Sequence, residues 1–574
     1  MTKGLYYLLS SIILFLITLL FTSEQIAVFL APDISADRLE QVTLGSGILK
    51  ALLLADALLL LSISLFIRKQ VFSPDNPYKS LWQPSTRIPD SWNTFKNFSI
   101  SVYVLLGLAL VLRLIGLNSD LWIDEVITLV SFVRLPAGEI ITNFTSDNQH
   151  LLVSLLSHAS VSFFGESAWA IRLPSVLFGI ASIWAAVKLG ELVYGKKIAF
   201  FTGLLLAISY HHIWFSQNTR GYSILLFGTV YSTYLLLRAL QSGKWRFWVG
   251  YAFIISISAW AHITAVFVSI AHGVVILLIL LKSDKPSRQL WLPLAGLLMA
   301  AWFTLHLYSL ILPQMIDFFT QPGAGTGLQH TVWRTPLWLF NEAFRSMGID
   351  ATLGWFGLAV VLFIGAICYY WYAKQDWIFL LLAISPGLIL GSTMFALGRS
   401  LWPRMFYNEI GFILMFLCVA LLAIGDIICK VLNKNKTGFI STLPVILLAL
   451  FLLSSLPYLY QYPKQDYTGA RDFVVTQKTA EDNVLGLHMA GRVYSIYYKK
   501  DWPEVNTIAE INQSMSHNGY TWLIYTLPGH IQDAKPDIYS YLKTNFNIIK
   551  VFHGTLGDGD IIVTKSKNRG LIKE

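Results

Sequence analysis

The chain has 574 residues, of which 55% are hydrophobic and only 13% charged, with a net charge of +9. Soluble domains carry about 25% charged residues, so this composition excludes a soluble enzyme or binding module and indicates a polytopic membrane protein. The positive balance is not a nucleic-acid footprint, because most lysines and arginines lie in short loops between apolar runs, where they set membrane orientation.

Runs long enough to cross a bilayer need roughly 17 to 25 residues. The first, Leu5–Phe21, follows Lys3 and precedes no small-x-small cleavage site, so an uncleaved anchor is expected. Gly47–Ile67 follows, and a polar segment, Arg68 to Asn97, separates this pair from Ser99–Leu117. Next come Ile171–Tyr194, Ile198–Phe215, Gly221–Leu240 and Phe247–Leu281, the last long enough for two passes. Leu290–Leu312, Ala351–Tyr372, Trp377–Leu397, Met405–Ile428 and Phe439–Tyr460 complete a set of about thirteen spans on the length rule.

Leu151–Phe164 and Pro336–Gly348 are apolar but too short to span comfortably. If Leu151–Phe164 stays at the surface, Arg68–Lys69, Lys196–Lys197, Lys244, Arg246, Lys282, Lys285, Arg288, Lys374, Lys430, Lys434 and Lys436 all share one side. By the positive-inside rule that side is the cytoplasm. The loops 118–150, Ser216–Tyr222, Leu312–Ile349 and Gly398–Arg404, and everything after Tyr460, then share the outer face. In the tail the apolar runs shorten to strand length, at Val484–Leu487, Trp522–Tyr525, Ile548–Phe552 and Ile561–Val563, with helix-like stretches at Asp466–Lys478 and Ala534–Asn545. The expected organisation is an N-terminal transmembrane hairpin and cytoplasmic linker (1–98), a transmembrane core (99–460) and an extracytoplasmic α/β domain (461–574).

The stretch Asn118–His150 carries two adjacent acids, Asp124 and Glu125. Read as a helix, it puts Trp122, Val126, Leu129 and Val133 on one side and Asp124, Thr128 and Ser131 on the other. That predicts an amphipathic helix on the membrane surface with a carboxylate facing water. The simpler reading is that both acids complement the positive end of a helix dipole. Glu125 projects about 100° from Asp124, so the two do not form a shared-proton dyad.

Four strings in order, LWIDEVIT, DNQHLL, FFGESAWAIRLPSVLFGI and FSQNTRGYS, resemble membrane glycosyltransferases of the protein mannosyltransferase and lipid A aminoarabinose transferase superfamily. A fifth, YPKQDYTGARDFV at Tyr462–Val474, resembles the point where such enzymes pass from the last span to a soluble domain. The resemblance covers roughly Ser99 to Val474 and implies a GT-C-like fold, with the first two spans added to it. It also implies a polyprenyl-phosphate-linked sugar donor, an extracytoplasmic lipid, glycan or protein acceptor, and a catalytic carboxylate at Asp124. Chemically, one carboxylate suffices: the acceptor hydroxyl needs a base, whereas the leaving phosphate needs only cations and donors. Glu125 is expected to orient the loop.

Many family members carry His-Pro-Pro after the loop, whereas here Leu151-Leu152 follow His150. Asp147, Asn148 and His150 are the polar groups left on the acceptor side, with loop capping the simpler role for the first two. Gln217 and Asn218 are neutral where relatives often have an acid, and with Tyr222 they are expected to line the substrate. Arg220 and Arg404 are the phosphate candidates, through their forks of donors, with Arg399 a weaker one; interfacial snorkelling is the alternative for Arg220.

Several motifs are set aside. Cys368, Cys418 and Cys429 form neither a disulfide framework nor a zinc spacing. His211, His212 and His262 have no carboxylate at helix spacing, so no metal site is assigned; no cofactor is expected, and a metal requirement stays open. Pro322–Gly327 follows no strand, so it reads as a lid rather than a nucleotide loop. Asp558-Gly559-Asp560 reads as a hairpin turn rather than an Asp-x-Asp metal site. Asp56, an intramembrane acid, is assigned no chemistry. A transporter or lipid flippase is the competing class, but it predicts paired ionisable groups or broken helices near the midplane, whereas the polar groups here gather at one face.

Overall fold

A computed structural model describes residues 2–66, 81–84, 89–282, 291–321, 376–397, 401–434, 438–515 and 518–570, with scattered residues between 357 and 368. The expected span at Ala351–Tyr372 lies almost wholly outside these residues. So do Pro336–Gly348, the Pro322–Gly327 loop and Arg399. Every other expected span is occupied by helix. Seven helices among the described residues are long and apolar enough to cross a membrane, or up to nine if two bent pairs each count as one span. Phe98–Leu114, Trp245–Ala261 and Ala265–Leu281 are 17 residues each. The protein is thus a multi-pass helical membrane protein with a small α/β sheet at its C-terminal end.

One bend has a clear cause. Lys196–Ile208 and Tyr210–Ser216 meet at 65°, which frees carbonyls at the end of the first helix. The guanidinium of Arg113, wholly buried, donates to two of them, Ala207 O at 3.1 Å and Leu206 O at 3.4 Å. It also donates to Ser216 Oγ at 3.2 Å and lies against His212. In an apolar surrounding such carbonyls need a partner inside the protein. His212 in turn meets Ser182 Oγ at 2.8 Å, so this histidine belongs to the brace.

The N-terminal hairpin docks on the core. The helix Ala36–Phe66 approaches Leu310 so closely that Gly45 has no room for a Cβ. Asp56 pairs with His306 at 2.9 Å and accepts from Trp302 Nε1 at 2.8 Å, which explains an acid inside an apolar run. The short helix Ser23–Leu30, capped by Thr22 and Gln25, continues the hairpin to Gly138, which packs on the Leu30 carbonyl.

The tail forms five strands, β1 (Asn483–Leu487), β2 (Glu504–Val505), β3 (Thr521–Thr526), β4 (Phe546–Phe552) and β5 (Ile561–Ser566), in the order β2-β1-β3-β5-β4. β1 runs parallel to β2 and β3, while β5 is antiparallel to β3 and β4. Alternation along β3 decides the two faces. Trp522 and Ile524 join a core continuous with the membrane helices. Leu523 and Tyr525 join a separate core with Ile538 and Leu542. β2 escapes the sequence because two residues carry no periodicity. The expected helix Ala534–Asn545 breaks at Lys535 into Pro528–Ala534 and Pro536–Asn545, since Pro536 cannot supply the amide that continuation needs. Asp558 lies in the turn joining β4 and β5 with φ of 59°, as a hairpin turn requires.

Candidate active site

The acidic stretch folds as a short α-helix, Ile123–Thr128, running into a π-helical turn, Leu129–Val133. Trp122, Val126, Leu129 and Val133 are all buried on one side, as the spacing predicts. Thr128, expected on the water side, is instead wholly buried. Its hydroxyl donates to the Asp124 carbonyl at 2.7 Å and accepts from Asn148 Nδ2 at 3.1 Å. The loop 143–150 folds over this part of the helix and covers it.

The two acids have opposite environments. The Asp124 side chain is 22% exposed, 3.6 Å from Arg220 Nη1 and 4.0 Å from Arg404 Nη1. These are long ion pairs, and among the described residues no hydrogen bond reaches its carboxylate. Glu125 is wholly buried. Arg172 grips it with two bonds, Nε to Oε1 at 2.9 Å and Nη2 to Oε2 at 2.6 Å. The Thr219 amide donates to it at 2.9 Å, and Lys464 Nζ lies 3.9 Å away. Burial opposes ionisation of Glu125, but the charges of Arg172 and Lys464 together with these bonds outweigh it and hold the carboxyl at about 2. Burial, then the neighbouring Arg172, pushes the Lys464 ammonium down to about 7, with Glu125 opposing.

Arg172 also donates to the carbonyls of Leu117 (2.8 Å), Ser119 (2.9 Å) and Asp120 (2.8 Å), so one guanidinium fixes the loop entering the acidic helix. Arg172 and Lys464 lie inside the AWAIRLPS and YPKQDY strings, but neither was singled out from the sequence. The available signal was a charged residue in an otherwise apolar run, which is costly unless paired.

The other candidates divide between the wall and the opening. Asn148 is buried and bridges the Asp124 carbonyl (3.1 Å) and Thr128, while Asp147 is exposed. Gln217 spends its amide on the carbonyls of Arg113 (2.9 Å) and Ile115 (2.6 Å), and its own carbonyl accepts from Lys464. Asn218 is wholly buried, accepts from Trp122 Nε1 at 3.1 Å and leaves Nδ2 without a partner among the described residues. Tyr222 stands among the rings of Phe215, His262 and Tyr407. His150 is buried with Nδ1 3.0 Å from the Ala261 carbonyl. Burial and Arg220 push its imidazole well below the usual range. Since a carbonyl only accepts, Nδ1 carries the proton and Nε2, without a partner among the described residues, is a lone pair. Arg220 is buried too, yet among the described residues its guanidinium has one hydrogen bond, to Asn148 O at 3.4 Å, and no partner for Nε. Arg404, half-buried, stacks its guanidinium against Trp402 at 5.2 Å.

Residues 148–308 match the family described as dolichyl-phosphate-mannose-protein mannosyltransferase, which bears out the resemblance drawn from the motifs and with it the enzyme class. No curated protein matches the chain in sequence. Among solved structures, it is similar to ArnT from Cupriavidus metallidurans in the apo state, with 14% identity over 81% of this chain and 98% of that one, TM-score 0.46. The same protein bound to undecaprenyl phosphate gives 14%, 81%, 97% and 0.46. The oligosaccharyltransferase of Archaeoglobus fulgidus tethered to an acceptor peptide gives 13% identity over 81% of this chain and 74% of that one, TM-score 0.45.

Proposed function

We propose that this chain, a membrane glycosyltransferase of the protein mannosyltransferase superfamily, moves a sugar from a polyprenyl-phosphate carrier to an acceptor hydroxyl on the extracytoplasmic side, with Asp124 as general base. The observation that carries the proposal is the pairing of an open carboxylate with under-used arginines. Among the described residues the Asp124 carboxylate has no hydrogen bond, and the buried Arg220 beside it keeps an unpartnered Nε. A buried guanidinium with spare donors is costly unless an oxyanion completes it.

The step then balances as follows. The acceptor hydroxyl gives its proton to Asp124 as its oxygen attacks the anomeric carbon. The bond from that carbon to the phosphate oxygen breaks, and the electron pair leaves on the polyprenyl phosphate. Arg220 and Arg404 hold the leaving phosphate, so no general acid is required. Glu125 takes no proton; clamped by Arg172, it orients the helix that bears Asp124. The lone pair on His150 Nε2 is an acceptor for a hydroxyl of the sugar or of the acceptor. Asn148, Gln217, Asn218 and Tyr222 support the site from its buried side, and Asp147 stands exposed beside it. The active site and the C-terminal sheet face outward in a cell membrane, on the side opposite the basic loops.

The test is to add purified protein to a panel of radiolabelled polyprenyl-phosphate sugars and follow which label leaves the lipid. Release from one donor, dependent on added lipid, glycan or protein acceptor, is expected. No release from any donor by folded protein would overturn the proposal.

A further inference from the structure

The acidic helix is held from a second direction, by the segment where the chain leaves its last membrane helix and enters the sheet. The Gln465 side chain, wholly buried, bonds at both ends. Its Oε1 accepts from the Ile123 amide at 3.0 Å, and its Nε2 donates to Thr526 Oγ1 at 2.8 Å. The Ile123 amide is one of the first-turn amides that a helix cannot satisfy itself, and the next residue is Asp124. Thr526 ends β3, the central strand of the sheet. Nearby, Asp120 accepts from the Thr468 amide (2.7 Å) and hydroxyl (2.8 Å), and the helix Met489–Ile496 lies against the acidic helix. A helix of six residues has too few internal bonds to set its own axis, so these outside bonds set its tilt and rotation.

We infer that Gln465 and Thr526 are positioning residues for Asp124, which makes the C-terminal sheet a working part of the site rather than an appendage. The inference rests on the reading of Asp124 as the base. The bond from Gln465 to Thr526 ties that helix to the rigid centre of the sheet, and both residues are buried. A carboxylate must sit within about 0.5 Å of its productive place, and a shift of about 1 Å costs up to about 100-fold in rate.

The test uses the full-length protein with Thr526→Val, which removes only the hydroxyl acceptor, and Thr526→Ser, which keeps it. Gln465→Leu cuts both ends and replaces Thr526→Val should that variant fail to fold. Hydrogen exchange of the segment 121–129 should quicken about tenfold in Thr526→Val while β1 and β3 exchange as in wild type. Turnover should fall about 10- to 100-fold with donor KM within about twofold. Thr526→Ser should return both readouts toward wild type. Unchanged exchange at 121–129 and unchanged kcat overturn the inference, as does equal loosening of the sheet and the helix. Absence of transfer by wild type counts against the proposed reaction, and exchange alone then decides the link.

Discussion

Replacing Arg172 by Leu tests the clamp on the acidic helix. The substitution removes two bonds to a carboxylate with no solvent exposure, leaving among the described residues the Thr219 amide at 2.9 Å, the Trp122 amide at 3.5 Å and Lys464 at 3.9 Å. Breaking a buried pair from one side costs about 3–5 kcal/mol, because the surviving charge is uncompensated. Each of the carbonyls of Leu117, Ser119 and Asp120 adds about 1–3 kcal/mol where water cannot reach it. Removing both charges in Glu125→Leu/Arg172→Leu deletes the stranded carboxylate, so the double variant should be more stable than the single one despite carrying more changes. Thermal unfolding of the purified proteins in one detergent at one scan rate measures this. The single variant should lose several degrees and the double variant part of that. Equal stability of the two would mean that Glu125 carries no charge that needs Arg172.

Acid should expose the same pair. Glu125, held at about 2 against an ordinary 4.5, contributes stability that is complete above about 4.5 and is lost as pH falls toward 2. Thermal stability scanned over that window should slope in wild type and flatten in Glu125→Gln. Lys464 acts in the same direction at higher pH: with its ammonium pushed down to about 7 from 10.5, the folded state holds fewer protons than the unfolded chain between those values. Stability should therefore rise with pH across that range, and Lys464→Met should remove the rise. Arg220→Ala and Arg404→Ala should weaken donor binding, measured on folded protein, while Lys at either position restores it only in part because a point charge does not replace a fork of donors. Cysteines at Ser146 and Ser514 should label from outside intact cells while one at Ser242 should not; labelling at 242 as readily as at 514 would overturn the thirteen-span topology.

Much of the architecture is legible in the sequence because a bilayer imposes a length rule on every span, and the strands of the tail show as apolar runs of strand length. The exposed acid is legible too, since Trp122, Val126, Leu129 and Val133 mark the buried side. The contacts that hold it are not. Arg172 lies 47 residues from Glu125 and Gln465 lies 342 from Ile123, and neither pairing leaves a local pattern. Thr128 misleads for the same reason: helical spacing sends it outward, but the loop carrying Asn148 folds over it. Gln217 and Asn218 read as site residues from their place in a loop, yet the bent helix turns their side chains into the wall.

In the proposed reaction Asp124 takes the acceptor proton. Asp124→Asn keeps the shape of the side chain and its neighbours but cannot act as that base. Turnover and donor binding measured on the same purified variant decide the matter. Loss of the base is worth about 10²–10⁴ in rate, or about 3–5 kcal/mol of barrier, with donor binding largely spared because Arg220 and Arg404 remain. Turnover within a few-fold of wild type by folded Asp124→Asn would contradict the mechanism and leave Asp124 as an ion-pair partner of the two arginines.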